Sequence, residues 1–133
     1  MRREVYARSG LLSSTIADDV MFLRVLNLAV SLRTTERFTE AKSFLREQLP
    51  KARRALNTED NVFLRLRGIY ASALWGDDCA SRDDVVEAVT ILEELASTTR
   101  RVHGEFHPFA KLVQHDLELA QEKLAAFDAS RTV

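Results

Sequence analysis

The sequence predicts an all-α fold: a right-handed α-solenoid of antiparallel helical hairpins, about six helices in all. Three observations carry this. Apolar residues recur at steps of three and four along almost the whole chain, the period of an amphipathic helix. Helix breakers are scarce, with 4 Gly and 2 Pro in 133 residues, which leaves room only for short connections. The chain also nearly repeats itself. Leu28-Ala29-Val30-Ser31-Leu32 returns 42 positions later as Tyr70-Ala71-Ser72-Ala73-Leu74. Phe44-Leu45-Arg46-Glu47, with Arg53-Arg54 downstream, returns 47 positions later as Ile91-Leu92-Glu93-Glu94, with Arg100-Arg101 downstream. Self-similarity at a period of roughly 20–50 residues marks stacked repeats rather than a closed globule.

The elements follow in order. A first helix is expected over about Arg2 to Leu12, with Val5, Tyr6 and Leu12 on one face. A second covers about Ala17 to Arg33, with Met21, Val25, Leu28, Ala29 and Leu32 as its apolar stripe. Thr34-Thr35-Glu36-Arg37 is a polar break. The third helix, about Phe38 to Leu56, carries Phe38, Ala41, Leu45, Leu49 and Ala52 inward, and Pro50 inside it predicts a kink because proline removes a backbone donor. After Asn57-Thr58-Glu59-Asp60, where Thr58 or Asp60 offers a cap, the fourth helix runs from about Asn61 to Trp75. Gly76 to Ala80 reads as a loop. Ser81 with Asp84 three residues on has capping-box spacing and opens the fifth helix, about Arg82 to Val102, whose buried side is Val85, Ala88, Val89, Leu92, Leu95 and Ala96. Gly104 ends it, Pro108 suits the first turn of a sixth helix to about Phe127, and Asp128 to Val133 reads as a frayed end. Leu32 to Ala41 spans nine steps and Leu74 to Ala88 fourteen, so the second hairpin carries a five-residue insertion.

Composition narrows the classes of function. Net charge is −1 from 19 basic and 20 acidic residues, which gives no electrostatic footprint for nucleic acid. No apolar run approaches the roughly 18 residues of a membrane span, so no membrane insertion is expected. Cys79 is the single cysteine, which excludes an intramolecular disulfide and makes a reducing, cytoplasmic compartment the expectation. Arg2, Arg3 and Arg8 with Ser13 and Ser14 have presequence character, but Glu4 counts against organelle targeting.

Leu28-Ala29, then Leu32, Phe38, Ala41 and Leu45, match in spacing the tetratricopeptide pattern of a Leu-Gly pair, Tyr, an aromatic, Ala and a large apolar residue. The 42-residue period is longer than the usual 34 and resembles the kinesin-light-chain type of tetratricopeptide repeat. Arg101-Val102-His103-Gly104-Glu105-Phe106-His107-Pro108 is similar to that type's Arg-x-Leu-Gly-x-x-His-Pro junction, with His103 in place of Leu. Asn57 to Asn61 is a degenerate copy lacking the His-Pro pair. The resemblance implies a single tetratricopeptide-like domain over 1–133: a half-repeat helix over 1–14, repeat one over 16–56, repeat two over 58–103 with an inserted loop at 76–81, and a half-repeat capping helix over 105–127.

It implies further that the first helix of each pair lines a concave groove for a protein or peptide partner. Leu23, Asn27 and Val30 would face it from repeat one, Arg65, Ile69 and Ser72 from repeat two, and Leu112, His115, Asp116 and Leu119 from repeat three. An Asn amide at position 27 both donates to and accepts from a peptide backbone, although Ile69 and Asp116 at the equivalent positions break any asparagine ladder. Arg65 suits a carboxylate. The first helix, taken as the second half of a missing repeat, would leave Val5, Leu11 and Leu12 open to docking or self-association.

No catalytic, metal or cofactor site is expected. His103 and His107 are four apart, yet Gly104 and Pro108 deny them the continuous helix that would aim both at one metal. Asp18-Asp19, Asp77-Asp78 and Asp83-Asp84 sit at helix starts or loops, where acids complement the helix dipole. Cys79 has no neighbouring base to activate it. Arg53-Arg54 and Arg100-Arg101 complement helix C-termini. Trp75 sits at the edge of the inserted loop, where it covers the hairpin or, if exposed, anchors an interface.

Overall fold

The computed structural model describes residues 9–131, with side chains described from 17 to 130. Five helices and no strand occur among the described residues: α1 Ser9–Thr34, α2 Phe38–Ala55, α3 Asn61–Trp75, α4 Arg82–His103 and α5 Pro108–Arg131. α1, α3 and α5 touch in series, while α2 packs on α1 and α3, and α4 on α3 and α5. This is the stacking of a helical-hairpin solenoid, in which each second helix wedges between successive first helices.

The helix ends follow local chemistry. Asp60 caps α3 by accepting the Val62 N–H at 2.8 Å. Ser81 caps α4 by accepting the Asp84 N–H at 3.1 Å. The Asp84 carboxylate does not return the bond of a capping box; it pairs instead with Lys42 of α2 at 3.0 Å. Gly104 closes α4 at φ 90°, a conformation that a residue with a Cβ adopts only with strain.

Several expectations are corrected. The described helices number five, and α1 is continuous where a break between Leu12 and Ala17 was expected; no Gly or Pro falls between Gly10 and Pro50 to interrupt it. Arg2 to Arg8, and with them the presequence reading and half of the expected first helix, lie outside the described residues, as do the side chains of Leu11 and Leu12. In α1 the buried stripe is Phe22, Leu26, Ala29 and Leu32, while Met21 and Leu28 are 45% and 48% exposed. α2 passes through Pro50 as one helix, with that ring in solvent. α5 does not fray at Asp128, whose carboxylate receives the Arg82 Nε at 2.8 Å from the start of α4.

The core centres on α3, which buries Phe63, Leu64, Leu66, Ile69, Tyr70, Ala71, Ala73 and Leu74. Each such large apolar side chain contributes roughly 1.5–3 kcal/mol on removal from water. Phe38 packs with Leu32, Ala41 and Ala73 at the α1–α2 turn. The inserted loop is pinned from α5, where Lys123 Nζ donates to the carbonyls of Trp75 and Asp77 at 2.7 and 2.8 Å. Trp75 is half-buried against the core.

Candidate functional site

Three first-of-pair helices bring their inner faces together around one cleft of about 70 Å³. α1 supplies Val30 and Arg33. α3 supplies Arg65, Gly68, Ile69 and Ser72. α5 supplies Phe109, Leu112, Val113 and Asp116, with Leu92 of α4 behind them. Depth comes from Gly68: a Cβ there would lie 3.8 Å from the Phe109 ring and 3.9 Å from Leu95, so its hydrogen leaves the floor open. Arg65, Phe109 and Leu112 also line an adjoining cleft of about 440 Å³ with Asn61, His103, His107 and Pro108. The two form one furrow along α3 and α5.

Six of the ten expected groove residues therefore meet: Val30, Arg65, Ile69, Ser72, Leu112 and Asp116. Ile69 is buried, so it forms wall rather than contact surface. Leu23 and Asn27 are exposed on α1 and line none of these clefts, and Leu119 is half-buried outside them. His115 lines a different hollow, of about 390 Å³, with Phe106, Ala110 and Lys111. Arg33, Gly68, Leu92, Phe109 and Val113 were not anticipated. For Arg33, Gly68 and Phe109 the signal lay in the repeat register, one turn from Val30, Arg65 and Leu112.

The cleft is electrostatically uneven. Arg33 holds its Nε buried without a hydrogen-bond partner. Arg65 makes no ion pair or hydrogen bond among the described residues. Burial pushes the Asp116 carboxyl above its ordinary value of 3.8, opposed by the charges of Arg33 and His115. Several cations elsewhere are matched: Arg67 with Glu94 at 2.6 Å, Arg101 with Glu59 at 2.6 Å and Lys42 with Asp84 at 3.0 Å.

The remaining chemistry-bearing residues occupy structural positions. His103 and His107 stack, ring centroids 4.4 Å apart, across the α4–α5 junction. His107 Nδ1 accepts the Phe109 N–H at 3.1 Å and so caps α5. Among the described residues no group of three or more His, Cys, Asp or Glu is arranged to hold a metal. Cys79 is exposed in the inserted loop, its N–H bonded to Asp77 Oδ1 at 2.9 Å.

Among the described residues no helix is long and apolar enough to cross a membrane. No curated protein and no solved structure matches the chain. A family model, the tetratricopeptide repeat, matches residues 26–61, from the middle of α1 through α2 to the first residue of α3. That signature lies on the hairpin that begins an all-α stack, so residues 26–61 carry a repeat of the tetratricopeptide type.

Proposed function

We propose that this chain is a non-catalytic protein-recognition module, an adaptor or scaffold whose concave furrow holds a peptide or helix of a protein partner. The observation that carries the reading is the joint lining of one cleft by α1, α3 and α5, with apolar walls, an Arg65 without an ion pair or hydrogen bond among the described residues, and a buried Arg33 Nε without a hydrogen-bond partner. Its volume suits an inserted side chain. Tetratricopeptide repeats generally mediate contacts between proteins, and the long period and the His-Pro junction favour the kinesin-light-chain-like subtype. We place the chain in the reducing cytoplasm on its single exposed thiol.

The test is affinity co-purification from source extract with wild type beside Arg65→Ala/Leu112→Ser. Both positions are exposed, so the pair alters the furrow without opening the core. A partner lost only with the variant supports groove recognition; a partner held by both overturns it.

A second reading has its own observation. Val20, Met21 and Leu28 on α1 are 44%, 45% and 48% exposed, which suits a structural subunit docked through its end. Leu28→Asp separates the two, since it leaves the furrow intact.

A further inference from the structure

The exposed edge of α1 has an internal counterpart that is covered. The 42-residue register pairs Val20, Met21, Arg24 and Leu28 with Val62, Phe63, Leu66 and Tyr70 of α3. In α3 the last three are 1%, 0% and 6% exposed. What covers that edge is α2: Arg46 bonds the Tyr70 hydroxyl at 2.8 Å, and the Arg53 guanidinium lies 5.4 Å from the Phe63 ring centroid. The two anchors run antiparallel, and Leu49, packed partly buried against the core, falls between them on α2 as Leu66 does on α3. α1 has the same edge and, among the described helices, touches only α2 and α3, with no helix in the corresponding place.

One residue breaks the correspondence. Where α3 has Leu66 at the centre of the edge, α1 has Arg24, exposed and without an ion pair or hydrogen bond among the described residues. An apolar ridge with a lone cation at its middle fits a complementary helix that is apolar at both ends of its contact and acidic at the centre. We propose that the α1 edge docks one amphipathic helix of a partner protein, seated as α2 sits on α3, with a carboxylate facing Arg24 and apolar side chains over Met21 and Leu28. The proposal rests on end-docking, the second reading above, and names what docks.

α2 itself supplies the probe. An 18-residue synthetic peptide of Phe38–Ala55 is made with Arg46→Leu and Arg53→Leu, to meet Leu28 and Met21, and with either Leu49→Glu or Leu49→Lys. Binding to the full chain is measured by titration calorimetry. The expected result is that the Glu peptide binds at least tenfold more tightly than the Lys peptide, that Arg24→Glu inverts this order, and that Leu28→Asp abolishes binding of both. Equal binding of the two peptides that Leu28→Asp still abolishes overturns the acidic-helix assignment and leaves end-docking standing. Binding that survives Leu28→Asp, or no binding of either peptide, overturns both.

Discussion

Arg46 of α2 donates from Nε to the Tyr70 hydroxyl of α3 at 2.8 Å, and that hydroxyl donates in turn to Glu87 Oε2 of α4 at 3.0 Å. Two helices that do not touch along their backbones, α2 and α4, thus share one oxygen of α3, beside the direct Lys42–Asp84 pair. Burial and the Glu87 carboxylate hold the Tyr70 phenol above its ordinary range, against the opposing pull of Arg46, so it stays a neutral donor.

Removing that oxygen tests the link. Tyr70→Phe keeps the ring and its packing but leaves Arg46 and Glu87 to solvent, in which both are partly immersed. The expected cost is about 1 kcal/mol, one net hydrogen-bond loss softened by water. It is read as a lower urea midpoint with an unchanged slope.

Gly68 and Gly76 respond to alanine with opposite signs. At Gly68, inside α3, a Cβ meets only ordinary contacts at 3.8–3.9 Å, so Gly68→Ala gains helix propensity and stabilises by up to about 1 kcal/mol. At Gly76 a Cβ would stand 2.7 Å from the Ser72 carbonyl oxygen, the acceptor of the bond that closes α3, so Gly76→Ala costs about 1–2 kcal/mol. Thermal melts of the two variants check both signs.

Asp116 makes stability depend on pH. Its carboxyl is raised above 3.8 in the folded chain, so between that value and its folded pKa the native state binds more protons than the unfolded one. Stability attributable to this group is therefore greatest in acid and falls as pH rises through that window. Asp116→Asn is expected to raise the melting temperature at neutral pH and to flatten this part of the profile.

Lys123 controls the inserted loop. Lys123→Met keeps the stem but strips the Trp75 and Asp77 carbonyls of their charged donor, with an expected loss of about 2 kcal/mol. Limited proteolysis should then cut between 76 and 81, where the wild type resists.

Short-range chemistry was the legible part of this fold. Asp60, Ser81 and Gly104 act on backbone groups within three or four residues, so the starts of α3 and α4 and the end of α4 fall where the sequence alone puts them. The face of α1 was not legible. From Met21 to Val30 nearly every position is apolar, and the stripe through Met21, Val25 and Leu28 fits a helix as well as the one through Phe22, Leu26 and Ala29. α2 and α3, packed against one side, make the choice. The furrow was half legible for a related reason. Repeat register located Arg65, Leu112 and Asp116, but the depth between them depends on Gly68 facing Phe109, a meeting of residues 41 positions apart that no local pattern encodes.

α3 touches all four of the other described helices. Long repeat arrays unravel from their ends because each unit leans only on its neighbours. Here every helix leans on the same one, and the stack has a keystone in place of a sequence of bricks. Severing the chain at the inserted loop would strip α4 and α5 of the helix they share with the first hairpin, so the array has no seam along which it divides into two self-sufficient halves.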